Sequence, residues 1–289
     1  MRSNATDLRG KSIVITGGSM GIGLASARSC LASGADVMIV ARGAEALDGA
    51  HAELTAAFPG RRIAMAAADV GREDQVAAMF AAFAERFARC DAVIHAAGVY
   101  GPIGAITDIE PAAWWDALRV NLFGTFLVAR AAAQSMQATG GGRMVFFSGG
   151  GAATPFPFYT AYASSKVAVV RFAETIAGEL APLIEVNCVA PGFVATRLHE
   201  ETLAAGASAA GSFLETTKAA LASGGVSADV GAEAAAFLVS DAARGITGKF
   251  VAAPYDDYRA WPGRLDALRE SELFTLRRVL PRERGLDWQ

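Results

Sequence analysis

"IVITGGSMGIGLASA", residues 13–27, runs from an unbroken apolar stretch into a glycine-rich turn and on into a helix-forming segment. Glycines at 17, 21 and 23 would let a backbone approach a pyrophosphate closely, and a helix beginning there favours its negative charge. Ser19, Met20 and Ile22 belong to the same turn. A glycine motif alone is weak, because such turns also serve tight packing. Here the strand before it and the helix after it stand where a dinucleotide site needs them.

Outward from this unit the same rhythm continues. Short apolar runs at 12–16, 36–40, 62–66, 92–96, 143–148, 184–190 and 249–253 read as strands, with helical patterns at 22–33, 44–57, 72–88, 111–138, 160–181 and 228–240. Strands that are apolar without alternation are buried on both faces, as in a parallel sheet covered by helices. The pattern predicts a single doubly wound α/β Rossmann domain with a mainly parallel seven-stranded sheet over residues 1–253. Residues 197–226, rich in Ala, Gly and Ser, fit this rhythm less well and suit a mobile lid.

Composition narrows the function. The chain is 53% hydrophobic and 19% charged, enough apolar material for a large core. Its net charge of −3, without a Lys/Arg block, suggests no nucleic-acid or membrane-surface partner. Cys30, Cys90 and Cys188 are far apart and form no metal or disulfide pattern, so reduced thiols in a cytoplasmic protein are expected and no metal site. The first residues have no signal-peptide core, and no apolar run approaches the ~20 residues of a membrane helix.

With its TGxxxGIG spacing, the chain resembles the short-chain dehydrogenase/reductase (SDR) family over roughly residues 8–253. Asp69 and Val70 match that family's adenine-contacting segment, and "HAAG" (95–98), with Ala96 and Gly98, matches its NAAG. Asn121 stands in "VNLFG", and "PGFVAT" matches the nicotinamide loop, with Pro191, Gly192, Val194 and Thr196. The resemblance implies a nicotinamide cofactor, a small carbonyl or alcohol substrate, and a homodimer or homotetramer formed through the later helices. Strand 36–40 ends at Ala41 where a carboxylate would select NAD, and Arg42 follows, able to match a 2′-phosphate. NADP is expected. His95, ending a buried strand, reads as a core residue bonded to backbone.

Tyr162 and Lys166 lie four apart in a predicted helix and so share one face. Free tyrosine titrates near 10, and an adjacent ammonium favours its phenolate. The resemblance assigns Tyr162 as proton donor or acceptor, Lys166 as its tuner and ribose ligand, and Asn121 as the residue that kinks a helix and holds a relay water. Tyr159 lacks such a lysine partner. The family's serine stands thirteen residues before the tyrosine, and that count falls on Gly149; Ser148 is one step early, which along a strand means the opposite face. Three outcomes follow. The glycines 149–151 could permit a bulge that re-aims Ser148, which is the expectation here; Thr154 or Tyr159 could replace it; or the protein could be a catalytically impaired NADP-binding regulator. The reading is an NADP(H)-dependent oxidoreductase that moves hydride between nicotinamide and a carbonyl or secondary alcohol.

Residues 254–289 extend beyond the resemblance. "PGRLDALRESELFTLRRVLP" (262–281), with Leu265, Leu268, Leu273, Leu276 and Leu280 near helical spacing, predicts one proline-bounded helix. Trp261 and Trp288 are candidate anchors. The tail is expected to pack on its own domain, over the substrate cleft beside 197–226, or on a neighbouring subunit, which the amphipathic pattern favours.

Overall fold

Both-sided burial shows first in β1 (Ser12–Thr16), where every residue is buried. The computed structural model describes residues 6–195 and 197–287. β1 joins β2 (Asp36–Ala41), β3 (Ile63–Ala67), β4 (Ala92–His95), β5 (Gly142–Phe147), β6 (Ile184–Ala190) and β7 (Phe250–Ala252) in one sheet. The order is β3-β2-β1-β4-β5-β6-β7, with every neighbouring pair parallel. Alternate side chains feed two cores. Ile13, Ile15, Ile39 and Ile94 meet α1 (Gly21–Ala32), α2 (Ala44–Ala57) and α9 (Ala228–Leu238) on one face. Val14, Met38, Val93 and Phe146 meet α3 (Glu73–Arg86), α5 (Gly124–Ala138) and α6 (Thr160–Leu180) on the other. The chain direction across the sheet reverses between β1 and β4, and their carboxyl ends open the crevice where ligands bind in such sheets.

The segment read as one helix over 111–138 is interrupted. α4 (Pro111–Leu118) passes through a π-helical turn, Arg119–Phe123, before α5. Asn121 causes the break: its Nδ2 donates to the Val99 carbonyl at 2.8 Å and its Oδ1 accepts from the Val99 N–H at 2.9 Å. The Thr125 hydroxyl takes up the Asn121 carbonyl at 2.6 Å.

The lid segment is helical: α7 (Arg197–Ala210), broken at Gly206 (φ 75°), and α8 (Phe213–Ala222). Periodicity missed them because few of their side chains are buried and Gly206 and Gly211 cut the pattern.

The tail packs on its own domain but departs from the single helix read for it. It forms a 3₁₀ stretch, Tyr258–Arg264, then the short α10 (Leu265–Arg269), and no helix over 270–280. Nor does it cross to the substrate cleft. Tyr258, Trp261 and Leu268 join the α1/α9-side core, Phe274 packs on Trp261 at 4.3 Å between ring centroids, and the Phe250 N–H of β7 donates to the Phe274 carbonyl at 2.8 Å. Leu276 donates its N–H to Glu174 of α6 at 2.7 Å. The physical reason is Lys249, whose buried ammonium donates to the carbonyls of Leu268 (2.6 Å) and Leu273 (3.0 Å). The tail thus caps its own domain's sheet edge. Trp288 lies outside the described residues.

Candidate active site

A cleft of about 730 Å³ opens over the carboxyl ends of β1, β2 and β4. Of the expected cofactor residues, Gly17, Ser19, Met20, Gly21, Ile22, Gly23, Arg42, Val70, Ala96 and Gly98 line it. Val120 and Ala195 also line it, inside the quoted motifs VNLFG and PGFVAT though not singled out there, and sequence reasoning missed Ala68 and Val99, whose apolar side chains announce no chemistry. Asp69 is not among the lining residues: its carboxylate accepts from the Gly71 N–H at 2.9 Å and pairs with Arg119 at 3.2 Å. Pro191, Gly192 and Val194 shape the loop after β6, where Val194 bridges to Val226. Thr196 lies outside the described residues.

This cradle fits a dinucleotide. Gly17 has φ +68°, and a Cβ there would meet the Ala96 backbone at 2.9 Å; a Cβ on Gly23 would collide with the Gly17 carbonyl. Only glycine lets the turn close this tightly. Behind it α1 begins at Gly21 with no side-chain cap, so its first N–H groups face the cleft. Arg42 is exposed on the rim, and no carboxylate pairs with it among the described residues.

α6 brings Tyr162 and Lys166 together behind Gly98 of the cleft lining. Both are buried, with the Lys166 ammonium 5.6 Å from the centre of the Tyr162 ring. Lys166 Nζ donates to the Phe147 carbonyl at 3.0 Å, and a Cβ on Gly98 would lie 3.3 Å from it. Burial pushes the Tyr162 phenol up to about 12 and the Lys166 ammonium down to about 8. The expected downward tuning of Tyr162 is therefore outweighed by desolvation, and the phenol holds its proton at neutral pH. Asn121 holds the loop at Val99 and donates to Ser165 Oγ at 2.9 Å, and Ser165 in turn donates to the Tyr162 carbonyl at 2.7 Å.

Ser148 is not re-aimed. Its hydroxyl donates to the backbone carbonyl of Lys166 at 3.2 Å, inside the α6 packing. Gly149, with extended backbone (φ −164°), presents its Cα to Tyr162, and a Cβ there would collide with the Tyr162 hydroxyl. The triple glycine makes a 3₁₀ turn, Gly150–Ala152, after that residue, so no bulge precedes it to turn Ser148 round. The two substitutes weighed from sequence are also engaged elsewhere: exposed Thr154 donates to Gly150 at 3.3 Å, and Tyr159 donates to Thr202 of α7 at 2.9 Å.

His95 is a core residue, as read, but its partner is a side chain: Nδ1 lies 2.8 Å from Thr16 Oγ1, and burial pushes it down to about 3. A second histidine counts for more. His199 of α7 is buried, its Nε2 3.2 Å from the Tyr100 hydroxyl, and Tyr100 stands edge-on to Tyr162 at 4.7 Å between ring centroids. Phe156, Phe158 and Phe213 complete this aromatic wall. Among the described residues no His/Cys/Asp/Glu group could hold a metal, and no helix is long and apolar enough to cross a membrane.

Residues 11–206 match the short chain dehydrogenase family model. Momilactone A synthase of Oryza sativa subsp. japonica is 33% identical over 249 residues, covering 86% of this chain and 89% of its own. Among solved structures, a variant of actinorhodin polyketide ketoreductase with NADPH superposes with a TM-score of 0.76 at 27% identity, covering 87% of this chain and 97% of its own. An NAD⁺-bound xylitol dehydrogenase gives a TM-score of 0.76 at 25% identity, over 84% and 97% of the two chains.

Proposed function

The chain belongs to the short-chain dehydrogenase family, and from that premise we propose that it is an NADP(H)-dependent reductase of a ketone or aldehyde, with Tyr162 as proton donor. Its general class, a nicotinamide-dependent oxidoreductase acting on alcohol or carbonyl groups, follows from the family itself. The observation that carries the finer reading is the buried Tyr162–Lys166 pair on one face of α6, with Lys166 Nζ packed behind Gly98 of the glycine-lined cleft.

In this reading the glycine turn and the N-terminus of α1 would hold the pyrophosphate, and Lys166 would reach a ribose hydroxyl. The nicotinamide, when bound, supplies the hydride. Tyr162, protonated at neutral pH, gives its proton to the substrate oxygen. Lys166 keeps a positive charge beside the phenol as the proton leaves. Arg42 at the rim, with Ala41 in the place of an acidic residue, supports NADP over NAD. The aromatic wall supports a ring-bearing or apolar substrate. Exposed Phe123 and Phe126 on one side of the π turn and α5 support self-association there. The non-catalytic alternative is not favoured: the buried Tyr162–Lys166 pair and the family's oxidoreductase relatives speak against it.

Purified protein should consume NADPH with members of a ketone and aldehyde panel, and Tyr162→Phe should lose at least a hundredfold in rate. Turnover left unchanged by this substitution would sink the assignment.

A further inference from the structure

Hydride addition to a carbonyl loads negative charge onto its oxygen, and a single donor leaves part of that charge unmatched. This site lacks an evident second donor. Position 149 has no side chain, Ser148 faces the Lys166 carbonyl, Thr154 is exposed, and Tyr159 is bonded to Thr202.

One other hydroxyl stands in the wall beside Tyr162. Tyr100, in the loop after β4, is 4% exposed and packs edge-on against the Tyr162 ring. Its hydroxyl meets not a fixed acceptor but an imidazole, His199 Nε2 at 3.2 Å. His199 Nδ1 is buried and meets no partner at ordinary hydrogen-bond geometry, with the Val194 backbone the polar group near the ring, and Phe193 lies against the ring at 3.8 Å between centroids. A neutral imidazole can donate at one nitrogen and accept at the other. With the proton on Nε2, His199 donates to the Tyr100 oxygen and leaves the phenolic O–H free to point elsewhere. A backbone carbonyl partner could only accept and would hold the phenolic proton.

Building on the reductase reading, we propose that Tyr100 donates a second hydrogen bond to the substrate oxygen and that His199 is its positioning residue. Tyr100 keeps its proton throughout; the proton added to oxygen comes from Tyr162. Because His199 belongs to α7 and Tyr100 to the β4 loop, the donor is complete only when α7 sits over the site.

The test uses single-turnover NADPH oxidation with ring-substituted acetophenones, from 4-methoxy to 4-trifluoromethyl, which vary the charge the oxygen can bear. Tyr100→Phe should slow the 4-methoxy ketone about a hundredfold, the scale of one lost donor. It should slow the 4-trifluoromethyl ketone less, so the rate depends more steeply on electron withdrawal. NADPH affinity, read by its fluorescence, should stay within about twofold and shows that the variant is folded. His199→Gln should keep more rate than His199→Ala and steepen the series less. An equal loss across the whole series would mean that Tyr100 only packs, and would overturn the proposal while leaving the reductase reading intact. If the unmodified protein reduced none of these ketones or any member of the wider panel, the reductase reading itself would fall, and this proposal with it.

Discussion

At Arg42 a single side chain separates two cofactors that differ by one phosphate. It lines the cleft beside Ala41 with no competing carboxylate among the described residues, so its guanidinium is available for bidentate contact. Arg42→Ala should weaken NADPH binding by about 1.5–3 kcal/mol and leave NADH nearly unchanged, the scale of a charge-assisted hydrogen bond. Isothermal titration with both cofactors checks this; equal losses would make the arginine structural. What the sequence reveals at this scale depends on whether the backbone alone sets the demand. Gly17 and Gly23 were legible because no other residue fits. The displaced serine was legible by counting. Its outcome was not, because the direction of Ser148 depends on a carbonyl of α6. Tyr100 and His199 escaped as a pair because they are 99 residues apart and share no motif.

Elements with two buried faces or a long apolar stripe were read nearly to the residue, as β1, β2, β4, β5, β6, α1, α2, α3 and α6 attest, and the half-exposed edge strand β3 was read within one residue. The elements misread are those shaped by a distant polar group. Asn121, which the resemblance implied would kink a helix, bonds the backbone of Val99 and turns the one helix read from the pattern into α4, a π turn and α5. Lys249 does the same to the tail: leucines spaced for a helix end up unwound after Arg269 because its ammonium gathers the carbonyls of Leu268 and Leu273. Free edge strands invite pairing with other chains, and the Phe250–Phe274 bond covers this one. Lys249→Met should therefore release the tail. Hydrogen exchange should quicken in 270–280, and loss of charged hydrogen bonds worth about 1.5–3 kcal/mol should lower Tm by several degrees. Unchanged exchange in that segment would show the tail holds without the lysine.

Over the whole molecule, the buried histidines give the fold a distinct response to acid. His95 is pushed down to about 3 and His199 to about 4, both chiefly by burial, against an ordinary value of 6.5. In the unfolded chain each takes a proton near pH 6.5; in the folded chain His95 stays neutral until about pH 3. Between those limits the unfolded state binds more protons, so stability falls as pH falls and is fully present only above the unfolded value. At pH 5 the gap amounts to about 1.5 pH units for His95, or about 2 kcal/mol. The other groups around this ring do not compete in that window: Thr16 and Phe146 do not titrate, and Lys166, pushed down to about 8, is already charged. Asparagine at position 95 can keep a hydrogen bond to Thr16 without titrating. Urea unfolding of the protein and its His95→Asn variant at pH 7 and pH 5 isolates this histidine, because every other group cancels in the difference. Relative to the parent, the variant should gain about 2 kcal/mol on going from pH 7 to pH 5. A difference independent of pH would mean that His95 accepts its proton within the fold, and the dry, neutral strand end inferred for β4 would be wrong.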